Sequence, residues 1–299
     1  MPARARTWSR SLNATALILI FIAAIAHASW NLFSKQASAA GAAGFVWLMS
    51  TVATAVYLPV VVVSLIVSPP RLTALCWVFM AGTGLLQVGY FLFLQTGYRV
   101  GDLSLVYPIG RGTGALLAAL AGIILLGERP GPAGIAGILL IVAGLVILGI
   151  PEASAGKAVT TRAITFALIT GVFIAAYTLW DKYAVSTLKI PSLIQGYASL
   201  PVMALVIAPF AVRDRERTAR VWRTYRRQVL GAAVLTPLAY ILVLTALSFS
   251  AVSAVAPTRE VSVLFGVLLG RRLLGEGSLG RRLSAATTVV AGIICIAVG

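Results

Sequence analysis

Leu103-Ser104-Leu105-Val106-Tyr107-Pro108-Ile109-Gly110-Arg111 returns 149 positions later as Val252-Ser253-Ala254-Val255-Ala256-Pro257-Thr258-Arg259-Glu260. Serine and proline recur in register. An arginine stands three residues after the first proline, and a glutamate stands three after the second. Outward from this pair the matches continue. Ala26 and Trp30 fall on Ala176 and Trp180, Asn31 on Asp181, Pro59 on Pro209 and Tyr90 on Tyr240, all at an offset of 150. Leu125-Leu126-Gly127-Glu128 falls on Leu273-Leu274-Gly275-Glu276, and Val142-Ala143-Gly144 on Val290-Ala291-Gly292, both at 148. Matches of Leu and Ala carry little weight in an apolar chain, but Trp, Tyr, Pro and a Gly-Glu pair in one order carry a great deal. The chain reads as an internal duplication with halves of 1–150 and 151–299.

The solvent for both halves is lipid. Of the 299 residues 60% are apolar and 11% charged, against about 25% charged in soluble domains. Ten windows approach the roughly 20 residues that cross a bilayer: Ala14–Ser34, Ala42–Val67, Leu72–Thr96, Leu103–Leu126, Pro132–Ile150, Arg162–Tyr183, Pro191–Val212, Val229–Phe249, Ala254–Leu274 and Leu283–Gly299. They are expected to be helices, because backbone in lipid must satisfy its own hydrogen bonds, and barrel alternation is absent. The fold class is therefore an all-α membrane protein of ten transmembrane helices in two five-helix repeats. Five is odd, so the second repeat enters from the opposite side and the repeats are inverted. Such proteins place the substrate near the midplane, between the halves.

The net charge of +16 would point to nucleic acid in a soluble chain. Here the basic residues cluster in connections, where headgroups lie, so no nucleic-acid partner is expected. Cys76 and Cys295 lie apart inside apolar windows, give no metal spacing, and read as small core residues. The first window resembles a signal peptide, with Arg4, Arg6 and Arg10 before it and Ala26-His27-Ala28 within it. The counterpart of Trp30 at Trp180 argues against its removal.

His27-Ala28-Ser29-Trp30-Asn31, the Pro108 and Pro257 segments, and the paired Leu-Leu-Gly-Glu endings together resemble the drug/metabolite transporter superfamily, in its EamA-type branch. The resemblance covers nearly the whole chain. It implies ten helices in two repeats around a central cavity. It also implies solute transport, often export of amino acids or related metabolites, by a multi-pass protein of the cell membrane, such as a bacterial inner membrane.

Ionisable residues inside spanning windows are costly and mark pathways or partners. Arg111 and Glu260 are repeat equivalents of opposite sign, so they either form an ion pair at the centre or snorkel to a surface. Arg259 is available for an anionic group, and an amino acid's carboxylate would suit either arginine while its ammonium suits Glu260. His27 and Asn31 share a helix face, with Trp30 beside them; Tyr177, Trp180 and Asp181 are the matching strip. These six residues, with Tyr90 and Tyr240, form either a substrate-binding wall or interhelical hydrogen bonds. Asp181, Glu260 and His27 are candidates to carry a proton. Asp181 is expected at the surface beside Lys182. Gln87 and Tyr107 are weaker candidates. Glu128 and Glu276 are expected to shape the turns after their helices, and Gly110/Gly114 and Gly266/Gly270 to permit close helix approach.

Arg213–Arg227 holds seven arginines, with Val221, Trp222, Tyr225 and Val229 at helical spacing. This reads as an amphipathic helix on anionic headgroups. By charge count the side away from the amino terminus is cytoplasmic; the family resemblance implies the reverse. No phosphate loop is present, and one His with two distant Cys offers no catalytic cluster, so an enzyme is not expected and no cofactor is implied. The leading function is a secondary transporter that exports or exchanges a small metabolite; a flippase for a lipid or lipid-linked sugar is the alternative.

Overall fold

The computed structural model of the chain describes residues 13–149, 157–262, 264–265 and 279–298. Those residues form α1 (Ala14–Ala37), α2 (Ala42–Val67), α3 (Ala74–Val100), α4 (Leu103–Leu125), α5 (Pro132–Gly149), α6 (Lys157–Ser186), α7 (Ser192–Arg213), α8 (Arg215–Phe249), α9 (Val252–Thr258) and α10 (Leu279–Val298). A single 3₁₀ turn, Ser38–Ala40, joins α1 to α2. Among the described residues there is no strand. Seven helices (α1–α4 and α6–α8) are long and apolar enough to span a bilayer, and Pro132–Ile147 and Thr287–Ile296 are shorter apolar stretches. Ile66, Ile124 and Leu205 point outward, each more than 70% exposed, a cost in water that vanishes against acyl chains.

The repeats interlock. Helix α1 packs along α8 and its counterpart α6 along α3, while α2 meets α7, α4 meets α9 and α5 meets α10. The reciprocity reaches single residues. Gly292 abuts Ile141, and Gly144 abuts Val289, the same contact with the halves exchanged. A Cβ on Gly137 would stand 2.6 Å from the Gly292 carbonyl oxygen, and one on Gly292 2.7 Å from that of Gly137. Small residues let the two backbones approach, as packing inside lipid requires. Gly110 and Gly114 do the same for α4, seating it on Ala167, Thr170 and Ile174 of α6; Gly266 and Gly270 lie outside the described residues. At the corresponding place between α1 and α9 an apolar hollow of about 340 Å³ opens, lined by Leu17, Ile20, Phe21, Thr258 and Val261.

Two predicted helices end differently from expectation. The window beginning at Ala254 breaks at Arg259–Glu260, where Glu260 N bonds Pro257 O and Ser262 N bonds Arg259 O, the tighter i→i−3 pattern. Pro257 removes one helical donor. Arg259 and Glu260 also pair with each other, which adjacent residues on a regular α-helix do not face each other to do. Upstream of Val229, α8 begins at Arg215 and carries a non-helical residue, Tyr225, just before Arg226-Arg227 and the apolar segment. Thr218 and Val221 are buried and the seven arginines exposed. Thr218 lies against Gly44, and Arg217 Nε donates to Ala40 O at 2.7 Å.

Three side chains tie the helix ends. Lys35 Nζ donates to Tyr98 O and Gly101 O at the end of α3, both at 2.8 Å. Lys182 Nζ donates to Leu247 O and Ser250 O at the end of α8, at 2.9 and 2.7 Å. Each ammonium meets the carbonyl-rich, negative end of a helix. Glu128 reaches beyond its turn: its two oxygens accept from Val252 N and Ser253 N, each at 2.8 Å. It thereby caps α9, whose own N-cap residue, Ala251, has no side-chain oxygen. Glu276 lies outside the described residues.

Candidate functional site

Between the halves lies a narrow cavity of about 30 Å³, room for roughly two waters. His27 and Trp30 come from α1, Tyr90 and Phe91 from α3, Tyr177 from α6 and Tyr240 from α8; Met49, Gln87, Ser199, Leu200 and Thr236 complete most of the wall. The wall is built from repeat equivalents: Tyr90 faces in with Tyr240, and His27 with Tyr177. Aromatic edges hold it, with Tyr90 to Tyr177 at 5.6 Å and Tyr177 to Tyr240 at 6.1 Å, both T-shaped, an arrangement favoured by ring quadrupoles. Trp30 Nε1 donates to His27 Nδ1 at 2.9 Å. With Nδ1 accepting, the ring proton sits on Nε2, and His27 keeps this bond only as a neutral ring.

Arg111, Arg259 and Glu260 do not line the cavity but form a buried cluster behind its wall. Arg111 Nε meets Glu260 Oε2 at 2.7 Å, and Arg259 Nε meets Glu260 Oε1 at 3.0 Å. Arg259 Nη2 also reaches Thr178 Oγ1 at 3.3 Å, and the Arg111 guanidinium stands 5.9 Å from the centre of the Tyr107 ring. Of the two readings left open by the sequence, ion pair or snorkelling, the geometry is the ion pair. The glutamate is shared between two arginines, so its charge is already matched by two cations in this conformation.

Asp181 corrects an expectation. It is fully buried, and its neighbour Lys182 turns away to cap α8. Asp181 Oδ1 accepts from Thr83 Oγ1 at 2.6 Å and from Gln195 Nε2 at 3.1 Å. Tyr240 Oη, on the cavity wall, donates to Oδ2. All three donors are neutral side chains. Asn31, its repeat equivalent, is also buried but sits off the cavity, accepting from Tyr98 Oη at 2.7 Å and donating to His27 O. Trp180 leaves the strip as well: it stacks on Phe79 at 4.2 Å, donates to Phe79 O, and covers Gly82, where no Cβ fits.

Thr83, Gln195 and Tyr98 went unseen in the sequence. Each is a polar residue inside an apolar window, which is the available signal, but bonds spanning 67 to 112 residues assemble them, and Gln195 reaches Asp181, 14 residues away, only across the turn between α6 and α7. Among the described residues no group of His, Cys, Asp and Glu is placed to hold a metal.

The model of the EamA-like transporter family matches the chain twice, at residues 14–150 and 161–298. A crystal structure of another protein superposes with a TM-score of 0.73 at 19% identity, over 95% of this chain and 96% of that one, a likeness of fold. No curated protein sequence matches the chain.

Proposed function

Because this chain belongs to the EamA-like transporter family, a family of multi-pass membrane transporters, we propose that it exports or exchanges a small metabolite such as an amino acid or related compound. On this reading ten spans form two inverted five-helix repeats, and alternating access comes from one repeat rocking against the other. The observation that carries the reading is the cavity wall itself. It is made of equivalent residues from the two halves, so a relative motion of the repeats must reshape it.

The parts follow from the geometry. His27, Trp30, Tyr90, Tyr177 and Tyr240 form the substrate wall, with Arg111, Arg259 and Glu260 setting its charge from behind. Asp181 carries the proton, informed of the cavity's occupancy through Tyr240; Glu260, held by two arginines, is less free to do so. Asn31 and Trp180 act by holding helices in place, through hydrogen bonds to Tyr98 and Phe79. Residues that touch their own repeat equivalent lie on the axis relating the halves, and in inverted repeats that axis runs through mid-membrane. Arg111 and Glu260 meet this condition. The arginines of Arg213–Arg227 lie against anionic headgroups.

The test is flux of a labelled metabolite panel through purified protein in liposomes, with wild type beside Tyr177→Ala. A solute moved by wild type and slowed at least tenfold in a folded Tyr177→Ala supports the reading. No flux of any solute by folded protein overturns it and shifts the question to labelled lipids. The hollow beside α1 would then gain meaning, although acyl chains of the bilayer fill such a surface without being substrates.

A further inference from the structure

Arg111 is 1% exposed, and only its Nε has a partner. Nη1 and Nη2 are buried and bond nothing among the described residues. A guanidinium carries five N–H donors, so four are left, on the planar fork that matches a carboxylate through two parallel hydrogen bonds. An arginine near a surface would carry such donors out to water. This one is fixed by its Nε to Glu260, and its fork stays inside.

The surrounding charges explain why nothing internal fills the fork. Glu260 has two oxygens and spends one on each arginine. Two cations and one anion leave the cluster with a net positive charge. Arg259 has a further partner in Thr178, whereas the Arg111 guanidinium stands over the Tyr107 ring, which offers no anion. The cluster reaches the cavity wall through α6, where Thr178, the partner of Arg259, directly follows the wall residue Tyr177. An unpaired buried guanidinium end is costly, and the group that removes this cost is an anion with two oxygens in one plane.

We infer that the Arg111 fork is an anion subsite that takes the carboxylate of an organic acid whose body occupies the aromatic cavity. The inference rests on the transport reading and narrows it: the solute carries a carboxylate, and a solute with only a cationic head meets a cluster of net positive charge at this end. Glu260 is the positioning residue, holding Arg111 by Nε and leaving both Nη atoms unpaired for the ligand. The cavity is narrower than any such solute, so binding selects a wider arrangement of the same wall.

The experiment is thermal stabilisation of the purified full chain in detergent, where a ligand of the folded state raises the midpoint. Benzoate is compared with benzamide and benzylamine, which keep the ring and change the head group, and with formate and butyrate. Buffers contain chloride or methanesulfonate, an anion without a carboxylate. The proteins are wild type, Arg111→Lys, and the double variant Arg111→Gln/Glu260→Gln, which removes one charge of each sign and guards against misfolding of the single change.

The expected result is stabilisation of wild type by carboxylates, with benzamide and benzylamine at least tenfold weaker. Both variants lose at least tenfold in apparent affinity for benzoate, since lysine keeps the charge but not the fork. Equal binding of the neutral or cationic probe, retention in both variants, chloride alone reproducing the whole effect, or no shift with any carboxylate overturns the inference. The two readings fail separately: a panel in which only neutral or cationic solutes cross the membrane sinks the anion subsite and keeps transport. Carboxylate binding without flux of any solute does the reverse.

Discussion

Arg111 and Glu260 hold the same position in the two repeats, and they touch, Nε to Oε2, at 2.7 Å. A duplicated chain that had kept one residue type at both places would set two like charges against each other. The opposite signs convert a repulsion into a bond between the halves.

Removing the glutamate alone is therefore worse than removing a matched pair. Glu260→Gln leaves two buried guanidinium groups without a counter-ion, and breaking one side of a buried pair typically costs about 3–5 kcal/mol. The thermal midpoint of Glu260→Gln is expected well below wild type, with Arg111→Gln/Glu260→Gln recovering much of the loss. Equal midpoints for the three proteins would show that the pair does not hold the halves together.

Asp181 separates driving from passage. Asp181→Asn keeps a buried polar side chain of the same shape and removes the titrating group. In liposomes it is expected to abolish the acceleration of flux by a pH gradient while leaving exchange of labelled for unlabelled solute within about threefold of wild type. Gradient-driven flux that survives the substitution would move the proton elsewhere.

The Glu128 carboxylate bonds two amide groups of the opposite half. Glu128→Gln replaces charge-assisted bonds with a neutral one and loses about 1–2 kcal/mol of that contact. A cysteine placed at Ala251 is expected to react several-fold faster with a water-soluble maleimide in the Glu128→Gln background. An unchanged rate would mean that the cap does not restrain the start of α9.

The crossing of α5 and α10 tolerates no added atom. In Gly137→Ala or Gly292→Ala the new methyl group meets a backbone oxygen near 2.7 Å, which a rotamer change cannot relieve. Overpacking of this kind costs about 1–3 kcal/mol, so both variants should melt earlier, and Gly127→Ala is the wrong control because its φ is +67°. Gly280→Ala, with open space around it, should melt like wild type.

The repeat was legible in the sequence because Trp, Tyr, Pro and Gly-Glu are rare enough to align. Arg111 and Glu260 could be matched through Pro108 and Pro257 for the same reason. Directions were less legible. Asp181 stands next to Lys182 in the chain, yet consecutive helical residues point about 100° apart, so one goes inward to Thr83 and the other out to the end of α8. Trp180 matches Trp30 in identity but not in surroundings, because Gly82 of α3 gives it a seat where the matching residue of α8 is Ala232. The break at Arg259–Glu260 carried only Pro257 as a signal, and Pro108, its match, sits in an unbroken α4. Gln195 and Thr83 become a site only when α3 and α7 meet α6.

The two capping lysines record how the halves diverged. The carbonyls they hold, Tyr98 and Gly101 in one half and Leu247 and Ser250 in the other, are 149 positions apart. The lysines themselves are 147 apart, and the matches of Lys35 and Lys182 at the repeat offset are Val185 and Leu32. A cap inherited from a single ancestral half would stand in register. At least one lysine was therefore acquired after duplication, from a different turn of its helix, to reach an equivalent pair of oxygens. The ends of α3 and α8 thus present equivalent carbonyls to ammonium groups that stand one turn out of register on α1 and α6.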